Sequence, residues 1–210
     1  MNDMLRPRVA VFAKAPVPGY AKTRLIPKLG AAGAADLQAV FIRQTLATVC
    51  STAAFDTSLW CAPDSHDPFF LACAESFKVQ RIEQADGDLG TRMQTAFATL
   101  ASDATPLVLV GTDCPVLTAR HIADAHTALR QGCDAVFIPT EDGGYALIGL
   151  RHSHAALFTD MPWSTAAVMA QTRQRLRWQG LRWHELETLW DVDEPAEHER
   201  WVHWCHAKTL

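Results

Sequence analysis

Short apolar runs, separated by stretches with helical spacing, recur along most of this 210-residue chain. Val9-Ala10-Val11-Phe12-Ala13 reads as a buried strand, because its β-branched and aromatic residues form a short unbroken run. Phe55 to Cys61 reads as a second strand and Val79 to Ile82 as a short third. Leu107-Val108-Leu109-Val110 is the clearest, stopping at Gly111, and Ala135 to Ile138, Ala146 to Leu150 and a stretch near Leu181 to Leu186 follow. Between these runs Leu37, Val40 and Phe41 share one helical face, and Ile122, Ala125 and Leu129 share another. Further helices are expected near Phe69 to Glu75, over Thr91 to Ala101, over Thr165 to Gln179 and after Pro195. Alternation of this kind predicts an α/β fold: a mostly parallel mixed sheet with helices on both faces, built as one domain over residues 1–210.

In such sheets ligands bind beyond the carboxyl ends of the strands. Three segments therefore matter first: Lys14 to Arg24, Gly111 to Pro115 and Glu141 to Tyr145. The first is a loop carrying three cations, Lys14, Lys22 and Arg24. Pro16 and Pro18 stiffen it, and Gly19 permits a turn that a side chain would obstruct. A diphosphate needs cations and backbone N–H donors, and this loop can supply both. It lacks the G-x-x-x-x-G-K-[ST] pattern of P-loop ATPases, and a solvated basic surface loop has the same composition.

Asp113, just after a strand, either reaches a divalent cation that bridges phosphates or caps the turn that follows. Glu141-Asp142-Gly143-Gly144-Tyr145 could set a carboxylate and bare backbone beside a ligand, although on spacing alone a hairpin turn is the better reading. Asp191, Asp193 and Glu194 precede Pro195, which suits the first turn of a helix. These acids either cap that helix or complete a metal site with Asp113.

The remaining features narrow the field. A net charge of −4 and a pI near 6.1 supply no global basic surface for a nucleic acid polymer. The six cysteines form no C-x-x-C pair and read as reduced and mostly buried. Met1 to Arg8 carries no apolar signal region, and Val9 to Ala13 is too short for a membrane span, so a cytoplasmic address is expected. His198, His203 and His206 do not show the i, i+4 spacing of a helical metal pair. Six of the seven tryptophans fall between Trp163 and Trp204 and read mainly as packing residues; Trp163 is the one best placed to stack on a sugar.

Taken in order, the segments Phe12 to Leu25, Gly87 to Met93, Gly111 to Pro115, Glu141 to Tyr145, Trp163 to Thr165 and Asp191 to Pro195 resemble a bacterial family of glycosyltransferase-A-like proteins. The resemblance spans about residues 8–200. It implies the nucleotide-diphospho-sugar transferase fold, with Lys14, Gly19, Lys22 and Arg24 on the phosphate side of a nucleotide pocket. Asp113 would stand at the first carboxylate of a D-x-D metal motif. Pro115 occupies the second position, so a remote carboxylate is required, and Asp193 stands in the place for it, ahead of Asp191. The metal implied is Mg2+ or Mn2+.

The activity implied is glycosyl transfer from a nucleotide sugar to a small-molecule or lipid-linked acceptor. Asp142 would be the catalytic carboxylate, and Gly143, Gly144, Tyr145 and Trp163 would shape the acceptor side. The alternative is nucleotidyl transfer from a nucleoside triphosphate to a phosphorylated acceptor. Against the molybdenum-cofactor guanylyltransferases, however, the chain has Phe12-Ala13-Lys14-Ala15 where they carry a glycine-rich loop. A third reading is a binding protein that senses a nucleotide sugar without turnover.

Overall fold

The computed structural model describes residues 6–51, 54–102 and 104–208. Met1 to Leu5, part of the N-terminal segment read above, lie outside the described residues. Among the described residues seven strands form one sheet: β1 (Arg8–Lys14), β2 (Asp56–Ala62), β3 (Gln80–Glu83), β4 (Leu107–Val110), β5 (Ala135–Pro139), β6 (Tyr145–Leu150) and β7 (Trp183–Glu185). Their order is β3-β2-β1-β4-β6-β5-β7. Among these seven strands β6 runs against its neighbours β4 and β5, and the other strand pairings are parallel. The expected mostly parallel mixed sheet is therefore present.

Successive residues of a strand face opposite sides, and β1 shows the result. Val9 and Val11 join Ile42, Leu46, Phe70, Ile122 and Leu129 in one core. Ala10 and Phe12 join Trp60, Phe97, Phe137 and Leu176 in the other. Helices α1 (Ile26–Val49), α2 (Pro68–Phe77) and α4 (Ala119–Arg130) supply the first layer. Helices α3 (Leu89–Leu100) and α5 (Val168–Trp178) supply the second. The last helix, α6 (Pro195–Lys208), packs Trp201 and Trp204 against a third cluster with Leu25, Phe41, Trp190 and Val192.

Local sequence fixes several helix starts. Asp67 accepts from the Phe69 amide and is followed by Pro68, a pairing that favours initiation. Asp88 accepts from the Thr91 amide at 2.8 Å, so much of the Gly87–Met93 motif is the cap of α3. Thr118 and His121 form a reciprocal capping box on α4.

Three expectations shift. Val40 does not share the buried face of α1: Leu37 and Phe41 are buried, but Val40 is 45% exposed. Helix α5 starts at Val168 rather than Thr165, because Ser164 has a left-handed backbone (φ 64°) and the Thr165 hydroxyl turns back to the Pro162 carbonyl at 2.7 Å. Trp178 is 73% exposed rather than packed. Helix α1 is long and apolar enough to cross a bilayer, yet its face with Ile42 and Leu46 is buried against the sheet.

Candidate functional site

Because β1, β4 and β5 run in one direction, their carboxyl ends lie along a single edge of the sheet. The loops that follow them enclose a cleft of about 550 Å3. Lys14, Lys22, Arg24, Asp113, Asp142, Tyr145 and Asp193 all line it. The three segments singled out in the sequence and the remote Asp193 are thus brought to one place.

The central feature is an ion triad. The Lys22 ammonium contacts Oδ1 of Asp113, lies 2.9 Å from Oδ1 of Asp193, and donates to the Val192 carbonyl at 2.6 Å. The backbone brings these partners together: the Val192 amide donates to the Asp113 carbonyl at 2.9 Å, which ties the chain before α6 to the end of β4. The Lys22 side chain is only 2% exposed. Burial opposes its charge, but Asp113 and Asp193 outweigh burial and hold its pKa above the ordinary lysine value.

Capping accounts for neither aspartate. Helix α4 is capped by Thr118. At the start of α6 the amides of Asp193 and Glu194 donate to Glu197, at 2.9 and 2.7 Å. Asp113 and Asp193 are left to face the cleft, with side chains 46% and 42% exposed. Asp191 does not line the cleft; its pKa is pushed up to about 7, by burial first and then by the charges of Asp142 and Asp193.

A further wall is the β5–β6 hairpin, as the Asp-Gly pair predicts, and the Glu141 amide ties it to the Leu189 carbonyl at 3.0 Å. Thr140 donates its hydroxyl to Asp142 Oδ1 at 2.5 Å, and the Gly144 amide donates to the same oxygen at 2.9 Å. Gly143 has φ 90°, and a Cβ there would fall 2.3 Å from the Ala166 carbonyl oxygen. The glycine therefore allows the hairpin to pack against the loop before α5. Tyr145 meets Phe137 and Trp163 edge-on, with ring centroids 5.5 and 6.5 Å away. Burial raises the Tyr145 pKa beyond the usual phenol range.

Four further sequence candidates do not line the cleft: Gly19, Gly143, Gly144 and Trp163. Gly19 supplies a left-handed turn (φ 81°) within the basic loop. Trp163 is half-buried against Tyr145 and stands where a side chain on Gly90 would have to go; its neighbour Ser164 lines the cleft instead. The Trp163 indole N–H has no hydrogen-bond partner among the described residues.

Other lining residues carried no role in the sequence reading. Arg92 adds a cation from α3, and its Nε donates to the Gly87 carbonyl at 3.0 Å. Gln38 donates to the Thr112 hydroxyl at 3.2 Å and the Lys14 carbonyl at 3.4 Å, pinning the ends of β1 and β4 together. Gln84 donates to the Trp60 carbonyl at 2.8 Å on the β2 side. The Gly87–Met93 motif already marked the neighbourhood of Arg92; the two glutamines left no signal, since each acts through a partner distant in sequence.

Solved structures share this architecture. A protein from Desulfovibrio desulfuricans G20, provisionally named a nucleotide-diphospho-sugar transferase, is 29% identical, with a TM-score of 0.80 over 90% of this chain and 82% of its own. The 4-diphosphocytidyl-2C-methyl-D-erythritol synthase of Anaerococcus prevotii DSM 20548 is 11% identical, with a TM-score of 0.60 over 94% and 96% of the two chains. The glucosyl-3-phosphoglycerate synthase of Mycobacterium tuberculosis, solved with Mn2+, uridine diphosphate and glucosyl-3-phosphoglycerate, is 12% identical, with a TM-score of 0.51 over 92% and 75%. The two more distant likenesses concern the fold alone, which is that of the nucleotide-diphospho-sugar transferases. Comparison with curated proteins gives no match. Residues 45–165, more than half of the sequence and including Asp113 and the Glu141–Tyr145 hairpin, match a family model, and the chain belongs to that family, described as "Uncharacterized protein conserved in bacteria (DUF2064)".

Proposed function

We propose that this chain is a metal-dependent glycosyltransferase that uses a nucleotide-diphospho-sugar donor. The observation that carries the reading is the convergence of Asp113 and Asp193 on one cation, the Lys22 ammonium, at the wall of a cleft that also holds Lys14, Arg24 and Arg92. Two carboxylates from distant parts of the chain that already share one positive charge form a seat for positive charge. The donors are all carboxylate oxygens, a set that fits Mg2+ or Mn2+ and suits softer metals poorly. Such an ion, when bound, would neutralise charge on the departing diphosphate. The likeness to a synthase solved with Mn2+ and uridine diphosphate supports the same reading.

The protein's own groups divide the remaining work. Lys14 and Arg24 come from the basic loop and Arg92 from α3, and they face the phosphates. In the reaction the acceptor oxygen bonds to the anomeric carbon. The bond from that carbon to the phosphate oxygen breaks, its electrons staying on the nucleoside diphosphate. Asp142, oriented by Thr140 and Gly144, takes the acceptor proton or holds a sugar hydroxyl. Tyr145, Ile148 and Ser164 also line the cleft, and the small-molecule or lipid-linked acceptor is assigned to them.

Nucleotidyl transfer is the second reading, supported by the fold shared with a diphosphocytidyl-methylerythritol synthase at a TM-score of 0.60. Calorimetric titration with nucleotide sugars and nucleoside triphosphates, with and without Mn2+, followed by product analysis, separates the two. Glycosyl transfer predicts metal-dependent binding of a nucleotide sugar and release of a nucleoside diphosphate. A preference for a triphosphate with release of pyrophosphate would replace the first reading by the second. Binding without turnover in the presence of acceptors would leave a sensor.

A further inference from the structure

Lys22 has the sequence position of a phosphate ligand but not the geometry of one. An ammonium has three protons to donate. Here the group has three acceptors around it: Asp113, Asp193 and the Val192 carbonyl. The Phe41 ring, with its centroid 5.4 Å away, closes another side. Lys22 lines the cleft, yet its side chain is 2% exposed, so the part of it that meets the cleft is backbone. That backbone is left-handed, with φ 48° and ψ 44°, an uncommon conformation for a residue that bears a side chain. The bend at Lys22 accompanies a side chain directed into the wall while Lys14 and Arg24 remain at the cleft.

The two aspartates show the complementary pattern. Each gives Oδ1 to the ammonium and keeps nearly half of its side chain exposed. The ammonium is thus buried where the two carboxylates meet, while much of each carboxylate side chain stays open. Without it, two acids that approach one point would repel and, being half exposed, could swing apart into solvent.

We propose that Lys22 is a positioning residue: a buried clamp that holds Asp113 and Asp193 together from behind, so that their outer faces form one seat for a divalent cation. This rests on the metal-dependent reading of the site. It moves phosphate contact away from Lys22 and onto Lys14, Arg24 and Arg92. It also makes the spacing of the seat a property of a residue that touches neither the metal nor the nucleotide.

Mn2+ binding without nucleotide, followed by electron paramagnetic resonance on the wild type and on Lys22→Met, tests the clamp. The expected result is Mn2+ affinity lower by about 10- to 100-fold in the variant, the usual cost of losing a group that orients metal ligands. Equal or tighter binding by Lys22→Met would overturn the clamp, since the ammonium would then be a competitor for the seat. If the wild type bound no Mn2+ even with nucleotide diphosphates, both the clamp and the metal-dependent reading would fall. A second measurement uses the unaltered protein, so the outcome does not depend on the variant folding. Reductive methylation read by mass spectrometry should leave Lys22 unmodified with and without Mn2+ and nucleotide, while Lys14 reacts. Labelling of Lys22 on metal loading would show that the ammonium leaves the wall, and the clamp would be wrong.

Discussion

The two acidic walls of the cleft are assembled on opposite plans. Asp142 is oriented by Thr140 and Gly144, each two positions away in the sequence. Asp193 is oriented by Lys22, 171 positions away, and Asp113 shares the same ammonium. One wall is a turn that carries its own hydrogen bonds. The other exists only when the end of β1, the end of β4 and the start of α6 have docked. The Asp142 carboxylate takes its hydrogen bonds from its own turn, even though that turn docks on the loop before α5, while the Asp113–Asp193 pair depends on packing across the whole fold.

The strongest way to break this contrast is to remove one acid from each wall. Asp113→Ala should abolish metal-dependent nucleotide binding and lower kcat/KM by about three orders of magnitude, near the upper range for loss of one preorganised electrostatic group. Asp142→Asn should leave metal-dependent binding intact and lower kcat by about 100-fold, as expected when a general base is lost. Calorimetry and steady-state kinetics on the two variants check both outcomes. Intact metal dependence in Asp113→Ala would remove that wall's assigned role.

Gly143→Ala tests the local wall by stability instead. The new methyl group would meet the Ala166 carbonyl at a φ of 90°. A loss of about 2 to 3 kcal/mol is expected in urea denaturation, from overpacking and backbone strain together. Because the hairpin holds Asp142, kcat should fall along with stability.

The smallest effect lies away from both walls and serves as a control. His126 is 3% exposed, stacks on Phe55, and has a pKa lowered to about 4, by burial first and then by Arg130. Its folded-state pKa lies below the ordinary value of 6.5, so the unfolded chain binds the proton first as pH falls. Its contribution is full above pH 6.5 and is lost as pH drops toward 4. Stability should therefore fall by about 2 kcal/mol more in the wild type than in His126→Phe between pH 7 and 5. Metal affinity in the variant should not change. Denaturation curves at the two pH values and a Mn2+ titration check this.

The contrast between the walls also explains what the sequence revealed. The Asp142-Gly143 turn was legible because its chemistry is local, and β4 because four apolar residues in a row have few alternatives to burial. The strand ends that carry the site followed from alternation alone. Lys22 was legible as a cation but not as a buried one, since nothing near it in sequence says that Asp113 and Asp193 will surround it. Val40 misled for a related reason: helical spacing gives a face, and only the packed sheet decides where that face ends. Trp163 sits next to the lining residue Ser164, yet the small residue Gly90 draws its ring toward α3.

The triad has a consequence for synthesis on the ribosome. The described strands all end by Glu185, so a nascent chain that stops just short of Asp193 already contains them. It contains the hairpin, the basic loop and Asp113 as well. It lacks the acid that shares Lys22 with Asp113 and the helix that follows. On the proposed reading, the sheet is encoded ahead of the cation seat, because Asp193 follows the last described strand in the chain.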